Sequence, residues 1–571
     1  MSSNTQARSS AVAVVAMLVL VACTPRTPGE RTPAGASAAA EPRPRITGGP
    51  HRPEPTGPLR YVASGPSPLA AGCEGGASSG TAYIGAEVEP HVAVDPGDPR
   101  RLAAIWQQDR WSNGSARALV MAWSDDGGRA WTRVGLPFSR CGGGTALNGG
   151  NYERATDPWL AWSPGGALHA MSLSTNGGIF STGSANAMLA SRSLDGGRTW
   201  SNPVALILDS AAAFNDKNAM TADPTDGRYV YAVWDRLIAA TDRGPAMFTR
   251  TTNGGVSWEP ARVIFDPGSG NQTIGNLIAV TSAGALLNLF TQIDRPPGGL
   301  QRARIAVMRS SDRGATWSAP VYIADLLAVG ASDPDSGTPI RDGSIIPSIA
   351  TAPDGRVYVA WQDARFNGGS HDAIAVARSD DDGLTWGAPV RASGDPRVAA
   401  FTPVVQVAPD GSVGVLYHDL RNNTALPTLP TDVWLARSDD GGMTWRDLHV
   451  DGPFDLAQAP YANGLFLGDY AGLVIVEDRF LPLFTRVNDG VPGNRTDVVA
   501  VRLDHARWPA VAPKTRAGHA REIAARMAPP GFVPSAQHRQ RVHALLTKRV
   551  RRPPGPDRTP RGWPPATAVR W

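Results

Sequence analysis

Six copies of one eight-residue pattern constrain the fold of this chain more than any other feature of its sequence. The pattern has Ser or Thr first, Asp or Asn third, Gly fifth and Trp eighth. It occupies residues 124–131, 193–200, 251–258, 310–317, 379–386 and 438–445. The copies start 69, 58, 59, 69 and 59 residues apart, which indicates repeated structural units rather than isolated turns.

Each copy predicts the turn of a β-hairpin. The third residue can accept backbone N–H groups within the turn, the glycine can adopt a backbone angle that other residues resist, and the Trp can cover a sheet edge. Residues repeated in this way serve the repeat, so we expect a structural role for the third positions. These are Asp126, Asp195, Asn253, Asp312, Asp381 and Asp440.

A second repeated element lies between these boxes and consists of two apolar strands joined by a Pro, Asp or Gly turn. It occurs seven times between residues 89 and 504, or about 59 residues per unit. Four short antiparallel strands fit that length, and this predicts an all-β fold, a β-propeller of four-stranded blades. Seven blades are favoured, closed by a strand from residues 59–63, and six blades with an accessory hairpin are the alternative.

The N-terminal residues 1–22 have the features of a signal peptide. Arg8 precedes an apolar run from Ala11 to Ala22 that is too short to span a bilayer. The run ends in Leu-Val-Ala-Cys, which resembles the lipobox of bacterial lipoproteins, and this implies lipidation at Cys23. The alternative is an ordinary signal peptide with an incidental cysteine. Residues 23–58 are rich in Pro and predict an extended tether.

Two further cysteines, Cys73 and Cys141, complete the three in the chain. In an exported protein we expect them to form a disulfide. Two separate buried thiols are the alternative.

The positive charge of the chain is concentrated at its C-terminal end. Residues 505–571 hold 14 Lys and Arg against Glu522 and Asp557, whereas the whole chain is only +4. The body is therefore acidic, which argues against nucleic acid as its partner. The tail predicts disorder. The alternative is a short basic helix over 537–550 that binds anionic lipid, polymer or nucleic acid.

The boxes resemble the Asp box, or bacterial neuraminidase repeat, of the sialidase superfamily. With its flanking hairpins the resemblance covers roughly 85–504, within a propeller domain set at 59–504. It implies that the boxes lie on the face away from the active site. It also implies an arginine triad whose first member lies in an Arg-Ile-Pro motif, but the matching residues here are Glu87-Val88-Glu89-Pro90-His91. Acidic groups there would repel the carboxylate of sialic acid.

The open face of such a propeller is built from loops after the second strands and loops leading into each next blade. Among these loops we single out candidate catalytic residues Glu153, Asp363, Asp469 and Tyr470, since paired carboxylates, or a Tyr assisted by an acid, cleave glycosidic bonds. Candidate substrate-binding residues are Arg154, Arg365, Arg421 and Arg486. The same loops carry the charged residues Glu89, Asp157, Asp216, Lys217, Arg341 and Asp342. Repeated Asp–Arg pairs can alternatively be loop ties within the blades.

These observations predict an exported, membrane-anchored sialidase-like propeller that acts on carbohydrate as a glycoside hydrolase. A non-catalytic propeller that binds glycan or protein at the cell surface is the alternative. We expect a monomer, contact with the membrane through the lipid anchor only, and no nucleic-acid partner. No cofactor or metal motif is present in the sequence; Ca²⁺ binding by acidic loops stays open.

Overall fold

The computed structural model of the chain describes residues 58–73, 80–503 and 516–549. The predicted signal peptide, Cys23 and the tether up to residue 57 lie outside the described residues, as do 504–515 and 550–571 of the tail. Within the described ranges, no helix is both long enough and apolar enough to cross a membrane.

Short strands that follow one another along the chain make up most of the described residues. The first seventeen are β1 (Leu59–Val62), β2 (Ala82–Asp95), β3 (Asp98–Trp111), β4 (Ala116–Ser124), β5 (Thr132–Gly135), β6 (Arg154–Trp162), β7 (Leu168–Asn176), β8 (Ala185–Ser193), β9 (Val204–Ser210), β10 (Ala213–Ala222), β11 (Val230–Ile238), β12 (Ala246–Thr251), β13 (Arg262–Phe265), β14 (Gln272–Val280), β15 (Leu286–Asp294), β16 (Arg302–Ser310) and β17 (Val321–Leu326).

The remaining elements follow the same pattern until two helices end the described chain. They are β18 (Ile340–Arg341), β19 (Ser348–Thr351), β20 (Val357–Asp363), β21 (Ala373–Ser379), β22 (Val390–Arg391), β23 (Ala400–Val407), β24 (Val413–Asp419), β25 (Pro430–Ser438), β26 (Arg446–Asp455), β27 (Leu465–Phe466), β28 (Gly472–Val476), β29 (Arg479–Val487), β30 (Thr496–Arg502), α1 (Arg516–Arg526) and α2 (Ala536–Arg549). Three short 3₁₀ helices cover Arg140–Gly142, Arg365–Asn367 and Leu456–Gln458.

Consecutive strands pair in antiparallel order within four-stranded units. Four sheets contain β10 to β13, β14 to β17, β19 to β22 and β23 to β26. A larger sheet contains β2 to β9, but only Ala116 and Ala155 pair where β4 meets β6. The strands β2 to β5 and β6 to β9 therefore repeat the same unit. Outside this pattern, β18 and β27 form a small parallel pair.

The last unit is completed by a strand from the other end of the domain. β1 pairs antiparallel with β30, which places Leu59 opposite Arg502 and Val62 opposite Val499, and the sheet order is β1-β30-β29-β28. This pairing confirms the closing role predicted for residues 59–63. A sheet edge is hidden where the two chain segments meet.

The innermost strands of the units form a closed ring. Each of β2, β6, β10, β14, β19 and β23 contacts the next, and β28 contacts β2. This is the arrangement of a β-propeller, with its core between neighbouring sheets around buried residues such as Trp106, Trp234 and Trp361. The blade number stays a prediction, and the ring of contacts supports seven rather than six.

The six boxes have the predicted turn geometry. In the fourth, Asp312 Oδ1 accepts the backbone N–H of Thr316 at 2.9 Å, and its Oδ2 accepts the Thr316 hydroxyl at 2.6 Å. Gly314 has a φ of 84°, which favours glycine. Asn253, the third residue of the third box, accepts the Ser257 N–H through its amide oxygen at 3.0 Å. The boxes are therefore fold elements closed by their own hydrogen bonds.

A disulfide joins Cys73 to Cys141, the pairing predicted from the sequence. It attaches the segment after β1 to the loop between β5 and β6. Arg117 supports the same segment, because its guanidinium donates to the Ala70 carbonyl at 3.1 Å and pairs with Asp109 at 2.8 Å.

The described part of the tail differs from the predicted disorder. Residues 516–549 contain both helices, and Val542, Leu545 and Leu546 of α2 are buried in an apolar cluster with residues of the fourth and fifth units. Composition suggested disorder because basic residues and prolines dominate the tail as a whole. The three apolar side chains lie on one face of a helix, and burial of that face stabilises it.

Candidate functional site

Three charged residues at the ring of inner strands have left-handed backbones. Glu89, Asp157 and Lys217 have φ angles of 54°, 52° and 50°. Each lies where an inner strand breaks register with its neighbour: β2 between Val88 and His91, β6 between Thr156 and Trp159, and β10 between Asp216 and Ala219. Non-glycine residues adopt this conformation at a cost, and such strain concentrates at functional sites.

The ammonium group of Lys217 connects these residues to one another. Its Nζ lies 2.8 Å from Asp469 Oδ2, 3.3 Å from Glu89 Oε1 and 3.9 Å from Asp157 Oδ1. The Lys217 backbone N–H also donates to Asp157 Oδ2 at 3.0 Å. All four side chains are buried, so three carboxylates surround one cation in a medium where charge interactions are strong.

Arg341 adds a second cation to this cluster. Its Nε and a terminal nitrogen bind the two oxygens of Asp469 at 3.0 and 2.6 Å, a bidentate geometry typical of strong pairs. The parallel pairing of β18 and β27 places Arg341 beside Phe466, and the guanidinium lies 4.4 Å from the centre of that ring. Gly343, with a φ of 62°, permits this approach because a Cβ there would stand 2.1 Å from the Asp469 carbonyl oxygen.

Arg110 lies on the same ring of Phe466, 4.8 Å from its centre. Burial, together with the positive charge of Arg341, lowers its pKa to about 10. One terminal nitrogen donates to Gln107 Oε1, and its Nε has no hydrogen-bond partner among the described atoms. Arg110 is thus a buried cation near the cluster that can still donate a hydrogen bond.

The two carboxylates nearest Lys217 have pKa values displaced in opposite directions. Burial raises the pKa of Glu89 to about 7, opposed by Lys217 and assisted by Asp469. Burial also disfavours ionisation of Asp469, but Arg341 and Lys217 outweigh it and hold its pKa well below the usual range. The cluster therefore contains one firmly ionised carboxylate next to one that can hold a proton near neutral pH.

A cavity of about 1040 Å³ opens onto this cluster. Its charged lining includes the buried residues Arg110, Asp157, Lys217 and Asp469 and the partly buried Arg341. A smaller cavity of about 370 Å³ runs among the inner strands and is also lined by Lys217 and Asp469. Because both residues line both cavities, the Lys217–Asp469 ion pair lies between them.

Asp469 and Tyr470, the predicted catalytic pair, both line the smaller cavity, and only Asp469 also lines the larger one. Tyr470 lines the smaller one, where its hydroxyl donates to the Pro158 carbonyl at 3.2 Å and its ring meets Trp159 edge-on at 5.3 Å. Burial and the carboxylates around it, Glu89 first, raise the pKa of Tyr470 well above its usual value. Asp469 alone of the pair lines the larger cavity.

Glu153 and Arg154 also line the larger cavity. A Glu153 carboxylate oxygen accepts the Gly177 N–H at 2.9 Å. Arg154 donates to the Asn113 side chain and the Gly114 carbonyl at 2.8 and 2.7 Å. Both residues therefore belong to the wall of the cavity, and the catalytic role of Glu153 and the substrate-binding role of Arg154 stay predictions.

The structure does not bring Asp363, Arg365, Arg421 or Arg486 to either cavity. Asp363 and Arg365 bind each other at 2.7 Å, and Arg421 binds Asp419 and Asp447 at 2.6 and 2.8 Å. Arg486 binds Asp451 at 3.1 Å. These pairs tie the ends of the second strands to neighbouring segments, the alternative interpretation of the repeated Asp–Arg pattern.

The sequence pointed to the loops that carry Glu89, Asp157, Lys217 and Arg341 without selecting these residues as the site. The only local signal is a charged residue directly before proline in Glu89-Pro90 and Asp157-Pro158. Over the ranges that the structure covers, no group of three or more His, Cys, Asp or Glu is placed to hold a metal ion.

Comparison with protein families gives one match. Residues 243–463 match the family described as "BNR repeat-like domain", a range that contains four of the six boxes. Over these residues, which are less than half of the chain, the match supports the bacterial neuraminidase repeat predicted from the sequence. No curated protein matches the chain.

Solved structures give low-identity similarities. A protein of unknown function from Dyadobacter fermentans is 15% identical over 73% of this chain and 94% of its own, with a TM-score of 0.39. A Hadza microbial sialidase is 16% identical over 70% and 74%, with a TM-score of 0.39. The α-L-arabinofuranosidase of Fusarium graminearum is 12% identical over 78% and 97%, with a TM-score of 0.39.

Proposed function

We propose that this chain hydrolyses a glycosidic bond in the larger cavity and that Asp469 acts on the substrate. The observation that carries the proposal is the pair of carboxylates at Lys217, Glu89 and Asp469, whose pKa values are displaced in opposite directions. Hydrolysis of a glycosidic bond passes through a transition state with positive charge on the sugar ring, and a firmly ionised carboxylate beside the sugar stabilises that charge. The match to the BNR repeat and the sialidase-like resemblance agree with this reaction class.

Asp469 is the member of the pair that can meet a substrate, because it lines the cavity. Its negative charge would stabilise positive charge that develops on the sugar ring in the transition state. Glu89 lies behind it, with its Oε1 3.3 Å from the Asp469 backbone nitrogen. We assign Glu89 as a positioning residue, one that holds Lys217 and Asp469 in place and responds to pH near neutrality.

The proposed substrate has a neutral sugar at this inner position. The cations Lys217 and Arg341 are already paired with Asp469, and Glu89 stands where the sialidase motif has an arginine. A carboxylate of the sugar would meet the negative charge of Asp469 there, and Arg110, whose Nε has no hydrogen-bond partner among the described atoms, is one cation where the family motif implies a triad. Tyr461, 43% exposed and part of the cavity lining, offers an aromatic surface for a sugar ring.

Non-catalytic binding of carbohydrate is the second candidate function, and one observation favours it. Both oxygens of Asp469 are occupied, one by Arg341 and the other by Arg341 and Lys217 together. A carboxylate held this firmly is a weak base and a weak nucleophile. The cavity would then hold a glycan without cleaving it.

Hydrolysis of fluorogenic aryl glycosides by the full chain separates the two functions. The panel includes an α-sialoside, an α-L-arabinofuranoside and common hexosides. We expect turnover of a neutral glycoside and a loss of kcat of about 100-fold or more in Asp469→Asn, the size of effect seen when a group that stabilises transition-state charge is removed. Asp380→Asn, which alters a surface pair with Arg378, is the control. Full activity in Asp469→Asn, or binding without turnover on a glycan array, contradicts the hydrolase.

We also propose export and anchoring through Cys23, on the signal features of residues 1–22. Growth with a clickable fatty-acid analogue in a bacterial host should label the full chain and not Cys23→Ser. Equal labelling of both proteins, or of neither, would contradict the anchor.

A further inference from the structure

One stripe of the C-terminal helix α2 lies along the larger cavity. Arg541, Ala544, Leu545 and Lys548 line it, and their spacing of three, four and seven residues places them on one side of a helix. The propeller strands alone therefore do not complete this cavity. A segment far from them in sequence supplies part of its wall.

α2 is fixed in this position by contacts along its length. His538 Nε2 donates to the Leu327 carbonyl at 2.8 Å, and the Gln301 backbone N–H donates to His543 Nδ1 at 2.9 Å. Val542 and Leu546 are buried against the propeller. The helix is thus a fixed part of the cavity wall rather than a loosely attached extension.

The charges on the cavity side of α2 are positive and not neutralised by nearby acids. Arg541 donates to the carbonyls of Gly369 and Ser370, and no ion pair within the described residues involves Arg541 or Lys548. Both residues are exposed, in contrast to the ion-paired Lys217 and Asp469, which are buried, and Arg341, which is partly buried. The cavity therefore has an ion-paired inner part and a basic outer wall.

We propose that α2 is a substrate-selecting element and that Arg541 and Lys548 bind an acidic group on the part of the substrate that leads out of the cavity. This inference rests on the proposed carbohydrate function and adds a substrate class, a glycan with a neutral sugar at Asp469 and an acidic sugar next to it. A carboxylate or sulfate would pair with two cations that have no carboxylate partner. Partial exposure keeps each such pair modest in strength and sensitive to salt.

The test measures binding, so that it does not depend on catalysis. The full chain is titrated with a panel of uronic-acid and sulfated oligosaccharides, each beside its carboxyl-reduced or desulfated counterpart. We expect an acidic member to bind about fivefold to tenfold more tightly than its neutral counterpart, the value of two exposed charge pairs. The double variant R541A/K548A should lose that preference, R541K/K548R should keep it, and added salt should reduce it.

R539A is the matched control, because Arg539 is an exposed basic residue of the same helix that does not line the cavity. Equal affinity for acidic and neutral members, no binding of any member, or an unchanged preference in R541A/K548A overturns the inference. Acid-selective binding without hydrolysis would contradict the proposed hydrolase activity but support the role of α2 in substrate selection. Hydrolysis of acidic and neutral substrates at equal efficiency would support the hydrolase activity but contradict the role of α2 in substrate selection.

Discussion

At the scale of single residues, the candidate site is built around Lys217. Its ammonium faces Glu89, Asp157 and Asp469, and these carboxylates, Asp469 first, outweigh its burial and raise its pKa. Burial allows one carboxyl group of this cluster to hold a proton near neutral pH, although Lys217 and Arg110 favour its ionised form. That group is Glu89, since Arg341 holds Asp469 in its charged form.

Glu89 should make the stability of the protein depend on pH. Its pKa rises from an ordinary 4.5 to about 7 in the folded chain, so the folded state binds the proton more tightly than the unfolded state. Stability from this group is therefore complete below pH 4.5 and is lost as the pH rises through 7, by about 3 kcal/mol. Other carboxyl groups titrate as well, so the effect is measured as a difference from a variant.

The measurement is urea unfolding of the wild type and Glu89→Gln at pH 5 and pH 8. We expect the wild type to lose up to about 3 kcal/mol of unfolding free energy relative to Glu89→Gln between these two values. Glu153→Gln, a substitution of the same type in the wall of the larger cavity, is the control variant. A parallel pH dependence of wild type and Glu89→Gln would mean that Glu89 is ionised throughout.

The site residues illustrate why a sequence alone can predict which loops form a site but not which side chains of those loops belong to it. Glu89, Asp157 and Lys217 are brought together by register breaks and left-handed backbones on three different strands. Neither feature has a reliable local signature at these positions, because side chains of this kind rarely adopt that conformation. By contrast, the sequence indicated Asp363 as a catalytic candidate and Arg365 as a substrate-binding candidate, but in the structure they pair with each other and line neither cavity.

At the scale of elements, the boxes were predictable because each turn is closed by residues within eight positions of each other. Ser310, Asp312 and Thr316 make all their box contacts locally, so composition and spacing determine the structure. The third box also shows which atoms matter. Asn253 has only one carboxylate-like oxygen, and it accepts the Ser257 N–H just as the aspartates do.

This comparison predicts the outcome of two substitutions at Asp312. Asp312→Ala removes the acceptor of the Thr316 N–H and should lower the unfolding free energy by about 1 to 2 kcal/mol. Asp312→Asn should cost less than half as much, because Asn253 shows that an amide oxygen closes the turn. Chemical denaturation of the two variants beside the wild type gives both values.

The same variants also test the separation of fold and function. No box residue lines either cavity, so glycan binding should be equal in the wild type, Asp312→Ala and Asp312→Asn once each is folded. Altered affinity in a fully folded Asp312→Asn would contradict a purely structural role for the boxes.

At the scale of the whole molecule, the propeller follows from the repeat, and the closing strand follows from the missing outer strand of the last unit. The position of the C-terminal segment did not follow. Its composition is dominated by basic residues and prolines, which predicts disorder, while its contacts depend on three apolar residues in a fourteen-residue helix. Docking of such a short face depends on the surface that receives it, and the sequence does not show that surface.

We therefore expect the folded domain to end after α2 and not after β30. Removal of residues 536–571 would expose the apolar cluster that Val542, Leu545 and Leu546 cover. Burial of each of these side chains contributes about 1.5 to 3 kcal/mol to the free energy of unfolding. We expect a loss of about 5 kcal/mol, a marked fall in Tm and an opened cavity. Removal of residues 550–571 leaves α2 intact and should change the unfolding free energy by less than 1 kcal/mol.

Thermal and urea unfolding of the full chain and the two truncated forms decide between a domain that stops at β30 and one that includes α2. Equal stability of all three proteins would show that the helix adds nothing to the propeller and would remove the physical basis for a wall at the cavity. A selective loss in the shorter form, with the longer form unchanged, would make the C-terminal helix part of the folded unit. The cavity, its basic outer wall and the ion cluster within it would then belong to one cooperative structure, because the apolar face that anchors α2 also places Arg541 and Lys548.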